Sequence, residues 1–385
     1  MLKKYKILIY LFSLAVFLHI GFSLFKIITT FAPDFNVFYY TAWDVLHGLD
    51  PYNDSKLATG FGYPVVTTFV YLPFTLLPYK IAQGLFVILN ALSVPLIVWL
   101  SLKLIQKKIS LNVVILVTAL TYLSFPVKFT LGMGQSGLLV SLLLLIAFYL
   151  RETKQKIKSG LLLGIAVLMK PILGFILLFF FLKKEWKIII TAGFFILFLT
   201  TLSLIIFGVD KYVFYLTSVL PQLIKPVGRE IYYNQGIMGF VSRLTGNIFL
   251  KGITSIFLSL VFLSLLLRET LKPKDNRLLF ALFLITLVLI DTLSWQHHFV
   301  LLIYPFIYAT YSSIKQKKKE NLWLIGLAYL LVSGNIGNPV VFDFFPLSLI
   351  LSHVFYGSVI LFFVLLSIDR FQNKRYHDIS YGNKN

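Results

Sequence analysis

Residues 81–108 read IAQGLFVILNALSVPLIVWLSLKLIQKK, 22 positions without a charged side chain followed by Lys103, Lys107 and Lys108 within six. About 20 apolar residues are what a helix needs to cross the hydrocarbon core. Lysines crowded just beyond such a run mark the side on which its end is held. The same alternation of long apolar run and short basic loop recurs along the chain, so lipid is the solvent for most of it. Composition agrees: 58% of the 385 residues are hydrophobic and only 13% charged, against about 45–50% and about 25% in soluble domains.

The net charge of +20 does not form a basic arm or face, so nucleic acid is not expected as a partner. Basic residues gather instead in seven clusters: the N-terminus to Lys6, Lys103 to Lys108, Arg151 to Lys158, Lys183 to Lys187, Arg268 to Arg277, Lys315 to Glu320, and Asp369 to the end. These hold 25 of the 35 Lys and Arg but 7 of the 15 Asp and Glu. Placed together on the cytoplasmic side, they fix a topology with both termini inside the plasma (inner) membrane. The apolar run after Lys6 is too long for a signal peptide and has no small-residue cleavage site, so it reads as an uncleaved first span. The chain has no cysteine, which excludes disulfides and thiolate-held metals.

Spans are expected at 7–28, 81–102, 110–127, 134–150, 188–208, 248–267, 278–293, 297–314, 321–335 and 347–368. Residues 159–182 are the difficult interval, long enough for one crossing while both flanking clusters are basic. A pair of short helices broken at Lys170-Pro171 satisfies the charges, since proline interrupts a helix and restrains the residue before it; a single span with one misplaced loop is the alternative. The expected fold is thus one all-α polytopic membrane domain over 1–385, with about twelve transmembrane segments, some short or re-entrant. Two outer loops are long, 29–80 and 209–247. Within the first, Phe35, Phe38, Ala42, Val45 and Leu46 recur at helical spacing, with Asp34 at the expected N-cap and Gly48 past the C-terminus. That pattern predicts an amphipathic helix on the outer membrane surface. The stretch Tyr63 to Pro78 should lie at the interface or dip partway in.

Acidic residues missing from the basic loops concentrate in the outer ones. Asp34 could be a general base in a partly dehydrated interfacial pocket or merely the cap of its helix. Lys170 stands mid-segment among apolar residues, where a lysine costs about 2.5–3.5 kcal/mol on insertion scales. It could meet the phosphate of a lipid-linked substrate, snorkel, or pair with an outer carboxylate. His297 and His298 are adjacent and point in different directions, so they would not chelate one metal. One could face a cavity while the other packs, with Asp291 as a possible partner, and no metal site is expected. Arg229, Glu230, Tyr232, Tyr233, Asn234, Gln235 and Arg243 suit sugar hydroxyls and phosphate by residue type, as would a solvated loop. Gly132, Gly134, Gln135 and Gly137 mark a tight outer turn rather than a phosphate loop.

In order, Asp34 to Tyr40, Gly48 to Tyr52, Tyr63-Pro64, Gly134-Gln135, Gly164 through Lys170-Pro171, Asn234-Gln235 and Ser294 to His298 resemble glycosyltransferase family 87, within the C-type (GT-C-like) superfamily. The resemblance implies transfer of a hexose, typically mannose, from a polyprenyl-phosphate donor to a lipid-linked or glycan acceptor at the extracytoplasmic face, with no cofactor. It carries the role of catalytic base onto Asp34 and puts the histidine pair at the same cavity. Tyr39, Tyr40, Asp50, Tyr52, Gln135, Lys170, Arg229, Asn234, Gln235, His297 and His298 are the candidate substrate contacts. Gly137 and Gly236 depart from the family, which often has Asn and Ser there. Readings from other classes are a transporter or lipid-carrier flippase, which should hold its charges at midplane between repeated halves, and a surface-polysaccharide polymerase or ligase.

Overall fold

The computed structural model describes residues 6–52, 60–106, 108–225, 228–272, 275–342 and 344–368, and every element named among them is helical. Five helices are long and apolar enough to cross a membrane: α1 (Lys6–Thr29), α3 (Tyr79–Ile105), α9 (Trp186–Phe207), α13 (Ile248–Leu271), and the span Leu347–Ser367, whose α-helical part is α17 (His353–Ser367). A sixth is made if α4 (Leu111–Leu123) and α5 (Phe125–Met133), bent by 67° at Ser124, count as one. The bend has a local cause: Pro126 sits in the first turn of α5 and has no N–H to continue the α4 ladder. The other expected spans are shorter helices: α6 (Gly137–Glu152), α7 (Lys156–Met169), α8 (Phe175–Leu182), α14 (Asn276–Ile290), α15 (Ile303–Lys315) and α16 (Lys319–Ser333). The length criterion therefore gives five or six spans, where charge and hydropathy alone suggested about twelve.

Four of the basic loops meet one another at one end of the bundle. Glu185 pairs with Arg151 at 2.9 Å and with Lys156 at 2.8 Å. Lys103 Nζ lies 4.9 Å from the ring centre of Tyr149, and Arg277 donates to the Leu104 carbonyl at 3.2 Å. Lys318 donates to the Ser367 carbonyl, bringing the fifth loop to the end of α17. The basic tail from Asp369 onward lies outside the described residues.

Glu185 also settles the shape of the awkward interval. Its partners lie before α7 while it lies after α8, so both ends of segment 156–182 are at the same end of the bundle. Glycine contacts give the direction independently. A Cβ on Gly160 would stand 2.6 Å from the Ile188 carbonyl, and one on Gly164 3.3 Å from that of Ala192. Numbers rise together, so α7 and α9 pack directly on each other in parallel, and α8 makes the return leg that joins them. The reversal is at Lys170, whose extended backbone is what a following proline favours, and a 3-10 turn over Pro171–Gly174.

The helix α14 is the axis of the core. Every residue from Leu278 to Leu289 is buried, as expected of a helix apolar on all faces. Phe280 stacks on Phe148 at 4.3 Å, and Phe179 meets Phe280 and Phe283 edge-on. This ties α6 and the returning leg α8 to the axis.

The long first loop is more folded than a surface helix with a flexible tail. Helix α2 (Pro33–Leu46) buries Asn36, Val37, Tyr39 and Asp44 as well as the expected stripe, while Leu46 is exposed. Its cover is two 3-10 segments, Val65–Val70 and Leu72–Leu76, so the stretch Tyr63 to Pro78 caps α2 instead of spanning. Phe38 stacks on Tyr71 at 4.5 Å and Phe35 on Phe86 at 4.8 Å. Asp34 is not the N-cap. Ala32 holds that position and Pro33 the first helical one, which proline's fixed φ favours. The second loop contains α10 (Val209–Phe214), a π-helical turn Tyr215–Val219, α11 (Leu220–Ile224) and α12 (Ile237–Leu244).

Candidate active site

Asp34 owes its surroundings to a glycine. Gly134 ends α5 in the left-handed region at φ +68°, and a Cβ there would come within 2.7 Å of Phe35 Cβ and 2.9 Å of Ala32 Cβ. Without that Cβ the turn between α5 and α6 lies directly on the first turn of α2. Gln135 follows and donates from Nε2 to Asp34 Oδ2 at 2.8 Å. Freed from capping, the carboxylate is held by a side chain a hundred residues away. Burial raises the Asp34 pKa above the usual carboxylate value; the Gln135 hydrogen bond and the charge of Lys170 pull it partly back.

Lys170 is 4% exposed, its ammonium without a hydrogen-bond partner. It lines a narrow cavity with Asp291, His298, Gly137 and Val300, with room for about one water molecule, about 10 Å³. Asp291 ends α14 and accepts from the Leu293 N–H at 3.2 Å, a local turn that reverses the chain. His298 then returns over it, Nδ1 lying 3.1 Å from Asp291 Oδ2. Residues 296–302 form a 3-10 helix, in which neighbours point about 120° apart. His297 accordingly turns away to pack against Phe129 and Trp295. No third side chain joins Asp291 and His298 as a metal-ligand group among the described residues.

Asn234 and Gln235 lock the loop before α12 to the Asp291 turn. Asn234 Oδ1 accepts from the Ser294 N–H at 3.0 Å, its Nδ2 donates to the Thr292 carbonyl at 3.2 Å, and the Gln235 N–H donates to the Ser294 carbonyl at 2.8 Å. Both amides are fully buried. A Cβ on Gly236 would lie 2.8 Å from the Asp291 carbonyl, and one on Gly137 3.3 Å from that of His297. Gly236 thus lets this loop lie against the Asp291 turn, and Gly137 lets the start of α6 lie against the histidine segment.

Other candidates lie away from the cavity. Tyr39 donates to the Leu77 carbonyl and packs, with Tyr40, on Tyr79. Asp50 is exposed and accepts from the Tyr52 N–H; the Tyr52 ring sits between Phe61 and Phe214 and its hydroxyl donates to the Tyr63 carbonyl. Arg229 donates to the carbonyls of Gln222, Leu223 and Lys225, closing the end of α11, although its charge still reaches Asp291. Sequence reasoning gave Asp291 only as a possible partner of the histidines; the available signal for more was a carboxylate ending a wholly apolar run, with histidines six and seven residues on.

Among curated proteins and among solved structures, nothing matches this chain. The family model of Glycosyltransferase family 87 matches residues 61–293. That stretch includes Gln135, Lys170, Asn234, Gln235 and Asp291, while Asp34 and the histidine pair lie outside it. With more than half of its length so matched, the chain belongs to glycosyltransferase family 87.

Proposed function

We propose that this membrane glycosyltransferase moves a hexose, mannose in the first instance, from a polyprenyl-phosphate-sugar donor to a hydroxyl of a lipid-linked or glycan acceptor. The observation that carries the reading is one cavity lined by the unpaired Lys170 ammonium, Asp291 and His298, brought together from separate elements. Asp34 is on α2 and Lys170 in the α7–α8 reversal, near enough for the lysine's charge to act on the aspartate. In a single displacement the acceptor hydroxyl gives its proton to Asp34 as its oxygen attacks the anomeric carbon. The bond from that carbon to the phosphate oxygen breaks, and polyprenyl phosphate leaves with the electron pair, inverting the anomeric centre. Lys170 and His298 meet the charge that develops on the departing phosphate, where positioned cations and donors are most effective.

Support for a lipid-linked donor comes from a second space. A cleft of about 500 Å³ lies between α4 and α16 over a floor of α15, with an almost wholly apolar lining that includes Val117, Phe306, Ile325 and Tyr329. Val300 lines both this cleft and the small cavity at Lys170. A hydrocarbon chain in the cleft would have its head group beside Lys170.

The end bearing Asp34 and His298 is opposite the basic loops, which by the positive-inside rule supports a site at the extracytoplasmic face of the plasma membrane. The same rule, with the short legs counted, supports the twelve-segment topology with cytoplasmic termini. The decisive test is incorporation of radiolabelled mannose from polyprenyl-phosphate-mannose into lipid extract by membranes carrying the wild type or Asp34→Asn at equal protein level. Product from the wild type alone supports reaction and base together. Equal product from both removes Asp34 as base, and a flippase would be indifferent to the substitution.

A further inference from the structure

Arg243 is 6% exposed and has no carboxylate beside it among the described residues. Its fork is filled by neutral acceptors: Nε donates to Ser352 Oγ at 2.8 Å, Nη1 to the carbonyls of Glu230 and Ile231 at 3.3 and 3.2 Å, and Nη2 to the Asn234 carbonyl at 2.9 Å. A buried cation held by dipoles alone is an expensive way to stabilise a fold, since apolar packing of the same volume does as well or better. What a guanidinium supplies that packing does not is direction, several donors in one rigid plane.

The plane is aimed at one short piece of main chain. Residues 230–234 are the loop whose last member, Asn234, holds the Asp291 turn through Ser294 and Thr292. Gly239, one helical turn before Arg243 on α12, makes the approach feasible: a Cβ there would collide with the Asn234 carbonyl. The far side of the loop is anchored too. The Tyr232 hydroxyl meets His353 Nε2 at 2.9 Å and accepts from the Ile336 N–H at 2.7 Å, and Gln235 donates to the Leu351 carbonyl at 2.6 Å.

We propose that Arg243 is a positioning residue: it fixes the main chain of 230–234, and through Asn234 the turn that sets Asp291 and His298 against Lys170. It touches no reacting atom. The geometric part stands by itself, while its kinetic consequence rests on the transferase reading.

The absence of cysteine makes a direct test available. Ser294 is buried and its hydroxyl has no partner, so Ser294→Cys introduces a reporter thiol into the turn at little steric change. Ser159→Cys, buried at the basic end beside Ala147, is the control. Full-length protein in lipid nanodiscs is alkylated with N-ethylmaleimide, with Arg243, Arg243→Lys or Arg243→Met behind each thiol. The expected result is a rate at the position-294 thiol at least about tenfold higher in Arg243→Met, intermediate in Arg243→Lys, and unchanged at the position-159 thiol. No change at position 294, or a parallel rise at both thiols, overturns the proposal. In the cysteine-free background, with polyprenyl-phosphate-mannose as donor, kcat should fall in the order Arg, Lys, Met with little change in donor KM. A kcat in Arg243→Met equal to that of the parent also overturns it. If the parent itself does not turn over, the donor reading fails, and the thiol rates still decide whether Arg243 positions the turn.

Discussion

His298 Nδ1 lies 3.1 Å from Asp291 Oδ2, and both side chains line the cavity that holds the unpaired Lys170 ammonium. A histidine that donates from Nδ1 to a carboxylate has a fixed ring orientation, and Nε2 is left for a ligand. Two groups that act through one contact do not contribute independently. His298→Asn and Asp291→Asn should each lower turnover at least tenfold, and the double substitution should cost little more than the worse single one, a coupling of at least about 1.4 kcal/mol. Initial rates of the four proteins at matched amounts complete the cycle; additive losses would mean that the pair is not a unit.

In the proposed mechanism the acid side of the pH profile belongs to Asp34. Burial raises its pKa and the Gln135 hydrogen bond lowers it, and only the ionised form can accept the acceptor's proton. Activity is therefore lost as pH falls through a pKa above the ordinary carboxylate value. Gln135→Leu removes a lowering influence, so the acid limb should move to higher pH, with the two enzymes converging well above it. Measuring kcat/KM from about pH 4.5 to about pH 8.5 reads this directly. A limb that stays in place or moves down excludes Asp34 as the titrating base.

Gly134→Ala should be damaging for two separate reasons, its φ of +68° and the 2.7 Å approach to Phe35 Cβ. A loss of about 1–3 kcal/mol is expected from the clash, with a fall in activity as Gln135 is pushed from Asp34. Gly252→Ala in α13 is the matched control: nothing lies within 4 Å of its Cβ position, and a helical glycine replaced by alanine gains about 0.5–1 kcal/mol. Thermal unfolding in one detergent compares them, and equal midpoints would remove the close-approach argument.

What could be read in the sequence was what periodicity and charge record locally. The apolar axis Leu278–Leu289, the break at Lys170-Pro171 and the shared end of the basic loops were legible because each depends on neighbours in the chain. The cap of α2 was misread although Ala32-Pro33 carried the signal, proline at the first helical position. Burial of α2 was not legible, since its cover comes from residues 65–76 and no helical stripe announces a lid. Residue type was a poor guide to free polar groups. Arg229 and Tyr39 look like ligand contacts in the sequence, yet both donate to main-chain carbonyls. Asp34 with Gln135 is a contact across a hundred residues, which spacing does not encode, whereas Asp291 with His298 was already suggested by a carboxylate seven residues before the histidine.

The reversal at Lys170 makes a prediction about sidedness that needs no substrate. Gln155 and Lys187 are exposed and flank segment 156–182, while Glu185 binds both Arg151 and Lys156. In right-side-out vesicles from cells expressing the cysteine-free chain, Gln155→Cys and Lys187→Cys should both resist an impermeant maleimide until the membrane is opened. Leu49→Cys, exposed in the first long loop at the opposite end, should react at once. A hairpin returns both ends to one side, whereas a single crossing would expose one of the two cytoplasmic-reading positions. Immediate labelling at position 155 alone or at position 187 alone would therefore reinstate the single span and reverse the sidedness of every leg on one side of it.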